Sequence, residues 1–474
     1  MLNFTGNLNN SNGDEHLQSL TDFYDQAGQL LRSDSVNQKN FTEADVKGYY
    51  VRAIYTEPIF KRILLEFSFG KSHAQNNSLK NTFDYNKRSG KFDEVNTALS
   101  NNYSNEYAYT NGRLRLRKQT RKYNYALGAI YQQAGLEGKI ISDGKDSVIS
   151  KSFRNILPNA RFQYYFSRFK NIMLTYSTST NQPTASQLQP VPDNSNSVNI
   201  KKGNPNLKQE YLHALRLNLS LVNPYKNRNL FAFINYQYTK NKIVNYDRVN
   251  ALGVDSVKPV NVDGVSNLNA SISWGNPLRF LKGNIEISTR AMLNKSKQLL
   301  NDAANEMLEN NISTTTFSPE VRIEINPTEK LNILFNAEWS YTKTTYSIQW
   351  AKAAKYFNQA YGAEINLQLP KSIFFSTDFT YSINNQYSSA FNSKIPLWNA
   401  SVSKQLLKYN RGELKLAVKD ILNENLSVYR NSNQNYVEDV KTNSLKRYVM
   451  LSFTYNLTKL GLGSDTNNSR IIMR

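Results

Sequence analysis

Residues 330–345 alternate between apolar and polar side chains. Leu331, Ile333, Phe335, Ala337, Trp339 and Tyr341 fall on one side of an extended chain. Asn332, Asn336, Glu338, Ser340 and Thr342 fall on the other, with Leu334 the single exception. A strand has a side-chain period of two, so this segment has one greasy face and one wet face. The pattern recurs along the chain. Leu215, Leu217, Leu219 and Leu221 alternate with Arg216, Asn218 and Ser220. Val321, Ile323 and Ile325 alternate with Arg322, Glu324 and Asn326, and Ile365, Leu367 and Leu369 with Glu364, Asn366 and Gln368. Ile373, Phe375, Phe379 and Tyr381 share a face opposite Ser376, Asp378 and Thr380.

Such strands have two uses. A soluble sandwich turns the apolar face onto a core. A membrane barrel turns it onto lipid and encloses water with the other face. Strand number favours the barrel, because about seventeen long segments follow one another up and down with almost no helix to cover them. They lie near 45–57, 61–74, 105–118, 121–135, 151–166, 170–180, 208–222, 228–246, 258–275, 281–298, 311–326, 330–349, 355–369, 372–388, 395–407, 411–429 and 440–458, with a stub at 2–8. Many exceed the roughly 9 to 11 residues that cross a bilayer. The predicted fold is therefore all-β: an antiparallel transmembrane β-barrel with about 18 visible strands. Residues 1–458 form the barrel domain and 459–474 a C-terminal tail.

Composition agrees. Mean hydropathy is −0.59, and no run of 18 apolar residues offers a spanning helix. A closed barrel pairs every backbone polar group between strands and needs only alternate apolar residues. The 30 Tyr, 23 Phe and 4 Trp suit a sheet that needs rings with an apolar body and a wet edge at the membrane surface. With no cysteine, disulfides, thiolate metal sites and cysteine nucleophiles are excluded. The net charge of +21 is spread along turns and strands, as in Arg113, Arg115 and Arg117 between Leu114 and Leu116. It reads as lumen-lining and interfacial charge, some of it facing anionic head groups, and not as a nucleic-acid surface.

The connections alternate in kind. Short turns carry turn formers and basic residues at 57–61, 118–122, 167–171, 223–227, 326–330, 369–372 and 409–412. Longer polar loops are expected at 9–44, 75–104, 136–150, 181–207, 247–257, 299–310 and 430–439. Short turns at one end and long loops at the other describe an outer-membrane barrel, periplasmic and extracellular respectively. Two loops show helical spacing: Leu17, Leu20, Tyr24, Ala27 and Leu31, and more weakly Ala303, Met307 and Leu308. Val449, Leu451, Phe453, Tyr455 and Leu457 read as the closing strand.

Residues 154–246 carry a further pattern. Asn155-Ile156-Leu157-Pro158-Asn159 leads into a strand; Tyr165-Phe166-Ser167 and Lys170-Asn171-Ile172 flank a turn. Tyr176 to Pro183 leads to Gln187-Leu188-Gln189-Pro190-Val191. Then come Gly203-Asn204-Pro205-Asn206-Leu207-Lys208-Gln209-Glu210-Tyr211 and Asn241-Lys242-Ile243-Val244. In this order the segments resemble the C-terminal barrel of the Bacteroidetes outer-membrane β-barrel proteins that are similar to TonB-dependent transporters. The resemblance implies a barrel of 22 strands, of which about four, together with a signal and a plug, precede this chain. No secretory signal opens the sequence, so the chain is expected to be the C-terminal part of a longer product. The implied location is the cell outer membrane of a Gram-negative bacterium. The implied role is uptake or recognition of a nutrient at the cell surface. A passive or structural porin-like barrel and a surface adhesion protein are the alternatives. Implied partners are outer-membrane lipid, a plug domain and an energy-coupling protein engaged through the absent N-terminal part, and a surface lipoprotein; nucleic acid is not among them.

No catalytic, metal-binding or cofactor-binding residues are assigned, and the chain is expected not to be an enzyme. His16, His73 and His213 stand in unrelated contexts, too few and too scattered for a zinc site or a serine–histidine–acid triad. His213 near Glu210 reads as ordinary hydrogen bonding. Asp14-Glu15 and Glu306 with Glu309 read as solvated loop acids. Substrate-binding residues stay unassigned. The loop from Asn181 to Lys208, stiffened by Pro183, Pro190, Pro192 and Pro205, is the largest candidate for ligand contact.

Overall fold

The structure is a computed structural model. It describes residues 1–24, 29–97, 99–142, 145–188, 192–193, 199–249, 255–301, 306–348, 353–385, 394–425, 427–432, 437–442 and 445–456. The expected tail at 459–474 and Leu457 lie outside these residues.

The chain forms one continuous antiparallel wall. Its strands are β1 (Leu2–Tyr24), β2 (Leu30–Phe60), β3 (Ile63–Asn86), β4 (Asn101–Gln119), β5 (Tyr123–Ser142) and β6 (Lys145–Ser167). Next come β7 (Lys170–Asn181), β8 (Glu210–Asn223), β9 (Arg228–Lys240), β10 (Val265–Leu278), β11 (Gly283–Asn301) and β12 (Met307–Thr328). The last are β13 (Leu331–Tyr346), β14 (Ala354–Leu369), β15 (Ile373–Ile383), β16 (Lys394–Leu406), β17 (Gly412–Lys419) and β18 (Tyr448–Tyr455). Each pairs antiparallel with the next along the chain. Five short strands extend this to a 23-stranded sheet. Among the described residues no ladder joins β1 to β18.

The wall is turned inside out relative to a soluble sheet. Phe67, Leu114, Leu127, Ile156, Phe335, Leu416 and Leu451 are all exposed, and they occupy the face that the alternation marks as apolar. In register they form a band: Phe67 lies opposite Leu114, Leu127 opposite Leu116, and Leu416 opposite Leu451. On β8 this face runs from Leu221 to Tyr211, 11 residues, which matches the roughly 9 to 11 that a tilted strand needs. At its upper edge His213 packs against Tyr211, ring centroids 4.9 Å apart, and Tyr176 shares a hydrogen bond with His213 Nδ1 at 2.9 Å. These rings form an aromatic girdle at the edge of the apolar face.

The short turns gather at one end. Seven were expected, and an eighth joins β10 to β11 through Arg279–Leu281. Its own residues, Arg279 to Lys282, include no proline, glycine or asparagine, although Asn276-Pro277 and Gly283-Asn284 flank them. It matches the Pro224–Lys226 turn between β8 and β9, a single 3₁₀ turn closed by a left-handed residue: Asn227 at φ 49° and Lys282 at φ 50°. Adjacent turns are stitched together. Gln119, Val222, Asn326 and Gln368 donate their amides to the carbonyls of Arg62, Phe169, Lys282 and Lys330.

Several expected loops are strands. Residues 9–24 and 30–44 form the far part of the β1–β2 hairpin, paired without a slip from Leu2 opposite Ala53 to Phe23 opposite Arg32. The helical spacing at Leu17, Leu20, Tyr24 and Leu31 is overruled by this ladder; Ala27 lies outside the described residues. Met307 and Leu308 open β12, while Ala303 is also outside them. Strands β3 and β5 likewise run on through most of 75–86 and 136–142. The reason is common to all. Beyond the membrane both faces of a hairpin are wet, so alternation fades from the sequence, but the ladder of backbone bonds continues. Conversely, the expected strands 228–246 and 258–275 each break. Asn241 takes φ 54° and Gly264 φ 89°, with the Asn241 amide donating to Asp263 Oδ1 at 2.7 Å. Above this hinge the hairpin Lys242–Val249 and Asp255–Val262 bends away from β9 and β10. The expected strand 411–429 ends at Lys419. Asp420, at φ 51°, closes the turn by accepting the Glu424 and Asn425 amides at 2.9 and 3.0 Å.

Candidate functional site: the outer mouth

The fully buried apolar cluster lies on the inner face of the wall, at the long-loop end. Leu136 of β5 and Ile149 of β6 meet Leu188 and Leu207 of the β7–β8 connection. Tyr103 and Tyr107 of β4, Phe153 of β6 and Ile243 of the bent hairpin pack around them. Leu136 belongs to the set Ala126, Gln132 and Ala134, which faces away from the lipid-facing Leu127 and Tyr131. At Leu188 and Leu207 the connection therefore turns toward the inner face and not over the rim. On the outer face at this height stand Gly135, Glu137 and Lys139, so the cluster sits above the hydrocarbon. Burying Leu188 and Leu207 stabilises the inward fold by about 1.5–3 kcal/mol each.

Local chemistry prepares the connection. Thr184 and Gln187 form a reciprocal cap. The Thr184 amide donates to Gln187 Oε1 at 2.9 Å, and the Gln187 amide to Thr184 Oγ1 at 3.2 Å. They start the one-turn helix Ala185–Leu188, which presents Leu188 to the cluster. Pro183 is buried beside this turn. Pro192 opens the two-residue strand Pro192–Asp193, paired with Lys201 and Lys202. Pro205 is exposed in a turn, and Pro190 lies outside the described residues.

The Gly203-to-Glu210 segment and the Asn241-Lys242-Ile243 segment, far apart in sequence, come together here. Glu210 is nearly buried. Its Oε1 takes the Lys242 ammonium at 2.9 Å and the Ile243 amide at 2.9 Å. Asn204 Nδ2 donates to the Pro259 carbonyl at 3.0 Å, and the Asn204 amide donates to the Gln187 carbonyl at 2.6 Å. Asn261 accepts the Lys208 amide at 2.8 Å and donates back to the Lys208 carbonyl at 3.1 Å. Asn155 Nδ2 donates to Gln209 Oε1 at 2.7 Å. The motif residues thus form a clasp holding the inward connection, the bent hairpin and β6 together. Asp255, at the far end of that hairpin, is pushed above the usual carboxylate range, first by burial and then by the neighbouring Asp247.

The remaining polar residues weighed in the sequence sit apart. His16 contacts Asn37 at 2.9 Å, and His73 pairs with Glu106 at 2.8 Å and stacks on Tyr49. Asp14 pairs with Lys39 at 3.1 Å and Glu309 with Lys297 at 2.7 Å. Among the described residues no three metal-ligating side chains gather. Sequence reasoning missed the Leu188–Leu207–Leu136 contact and the Glu210–Lys242 pair. The only signal for the latter was that both residues stand in quoted motifs.

Among curated proteins none matches the chain in sequence. Solved structures with a similar course include the hemophore receptor HasR of Serratia marcescens, a double mutant in complex with its hemophore HasA and heme. It is 10% identical, TM-score 0.41, covering 95% of this chain and 76% of that one. The FrpB iron transporter from Neisseria meningitidis (F3-3 variant) is 10% identical, TM-score 0.37, covering 96% and 77%. The RagAB peptide importer in its open-open state is 8% identical, TM-score 0.39, covering 85% and 60%. Residues 1–455 match the sequence profile of the Outer membrane protein beta-barrel family. With lipid-facing strands, short turns at one end and long connections at the other, the chain belongs to this family of barrels in the cell outer membrane.

Proposed function

We propose that this barrel serves uptake or recognition of a nutrient at the cell surface, as part of a TonB-dependent-receptor-like protein. One observation carries the reading. Leu188 and Leu207 of the Asn181–Lys208 connection pack against the inner face of β4 to β6, and Glu210 clasps its return to the wall, which supports an outer mouth that controls entry. A barrel whose only task is adhesion has no use for a folded inner rim. The same rim, with the polar inner wall below it, is where a solute meets the protein first. The surface lipoprotein and the energy-coupling partner belong to this reading as well.

The test compares a strain lacking the gene with its parent on ferric chelate, heme or peptide as limiting source, with and without an uncoupler. Loss of growth on one of them, and arrest of its uptake by the uncoupler, are the expected results. Equal growth of the two strains on all three would sink the proposal. Uptake that ignores the uncoupler would replace it with a passive, porin-like role.

A further inference from the structure

The inner wall is electrically lopsided. On β2 to β4 four arginines share the water-facing side: Arg52, Arg113, Arg115 and Arg117. One carboxylate, Glu66 on β3, stands among them. Its oxygens lie 3.8 Å from Arg52 Nη2 and 3.9 Å from Arg115 Nη1, too far for hydrogen bonds. Arg113 lies in the electrostatic field of Arg52, Arg115 and Glu66 as well.

The neighbours offer little more. On β5 the cross-strand partners of Arg113, Arg115 and Arg117 are Ile130, Gly128 and Ala126, none of which has a side-chain acceptor. On β3 the partners are Ser68, Glu66 and Leu64. Ser68 is occupied by Arg52 Nη2 at 3.3 Å, and Arg117 reaches Gln119 Oε1 at 3.3 Å. Arg115 Nε is buried and has no hydrogen-bond partner. Each guanidinium carries five donors in a fork that matches an oxyanion. Three positive charges are left over, on a wall where charge without a partner is costly.

The balancing acids lie elsewhere. Glu286, Glu320, Glu324, Glu338, Glu364 and Asp378 line the inner face of β11 to β15, which they share with Arg290 and with Arg322 opposite Glu286. Seven strand spacings separate β4 from β11, roughly 34 Å along the sheet. That is several Debye lengths. Neutral side chains already serve most of these acids: Ser273 donates to Glu286, Ser288 to Glu320, Asn332 to Glu324, Asn366 to Glu364 and Asn399 to Asp378. Those acids are served in place, whereas Arg115 Nε is buried without a hydrogen-bond partner and Arg113 stands between Ile130 and the already occupied Ser68.

We infer that the Arg52–Arg113–Arg115 cluster on the inner wall is a binding site for a small, multiply charged oxyanion of the phosphate or carboxylate class. Alternate residues of a strand are about 6.8 Å apart, so the cluster spreads its donors over more than one anionic group. Glu66 then keeps the empty site folded and competes with the ligand. The inference needs only that this face encloses water, and stands whether or not the barrel imports anything.

The test is equilibrium dialysis of the detergent-solubilised chain against labelled pyrophosphate, with citrate as a second probe. Saturable binding that weakens as salt rises from about 50 to 200 mM is expected. R113Q/R115Q should weaken it at least tenfold, E66Q should tighten it, and R216Q, on β8, should leave it unchanged. Heat-modifiable gel mobility checks that each variant is folded. Absence of saturable binding by the folded parent, or equal binding by R113Q/R115Q, overturns the inference. So does binding of an acidic peptide without binding of either small probe, which would make the cluster a dock for a protein segment.

Discussion

Glu210 shows how one residue can hold a loop inside a barrel. A carboxylate that accepts both an ammonium and a backbone amide makes charge-assisted bonds, each worth about 1.5–3 kcal/mol when buried. Its position at the first residue of β8 sets it where the inward connection re-enters the wall. Glu210→Ala should free the connection without unfolding the strands. Limited proteolysis should then cut within 182–209 at least tenfold faster, while gel mobility of the heated and unheated barrel is unchanged. Glu210→Gln keeps an acceptor for Ile243 and should fall between. Protection equal to the parent in both variants would mean that the apolar cluster alone holds the connection.

At the scale of elements, the bent hairpin Lys242–Val249 and Asp255–Val262 is a lever carrying Ile243 into the apolar cluster. The expected strands 228–246 and 258–275 run through its hinge, although Asn241 and the Asp263–Gly264 pair are turn formers and two of these residues adopt positive φ. What could not be read was the direction of the bend, because Glu210 meets Lys242 and Ile243, and Asn261 meets Lys208, across more than thirty residues of chain. The hairpin should also respond to pH. Asp255 has a raised pKa, so the folded form favours the neutral acid. Its contribution is full below the ordinary carboxylate pKa and is lost as pH rises through the raised value. Hydrogen exchange at 242–262, corrected for intrinsic rate, should therefore slow as pH falls through the carboxylate range. Asp255→Asn should abolish that dependence and slow exchange at pH 7. An unchanged profile in the variant would assign the effect to another group.

For the whole molecule the governing asymmetry is between a lipid face and a water face. Leu334 and Phe335 are adjacent apolar residues on β13, yet they point to opposite sides. Phe335 joins the band opposite Ile323 and Ala363, whereas Leu334 stands between Glu324 and Glu364 on the inner wall. An arginine on the lipid face near the bilayer midplane costs about 2–4 kcal/mol. Phe335→Arg should thus reduce assembly into membranes severalfold, measured as the heat-modifiable fraction. Leu334→Arg should be tolerated, since it gains two carboxylate neighbours. Brominated lipid should quench Trp339, which shares the face of Phe335. Equal tolerance of both arginines would contradict the assignment of faces.

The sequence by itself determined where the membrane-level strands run, which side of each is greasy, and where most short turns fall. These follow from a period of two and from turn residues, both local properties of the chain. It also carried the clasp motif without its meaning. Only the tertiary structure decided that residues 9–24 and 30–44 continue as paired strands, that Leu188 and Leu207 of the β7–β8 connection pack on the inner face, and that Arg52, Arg113 and Arg115 gather around one carboxylate, Glu66. Those outcomes rest on backbone ladders between wet segments and on contacts between distant strands, and neither leaves a periodic trace in the order of residues.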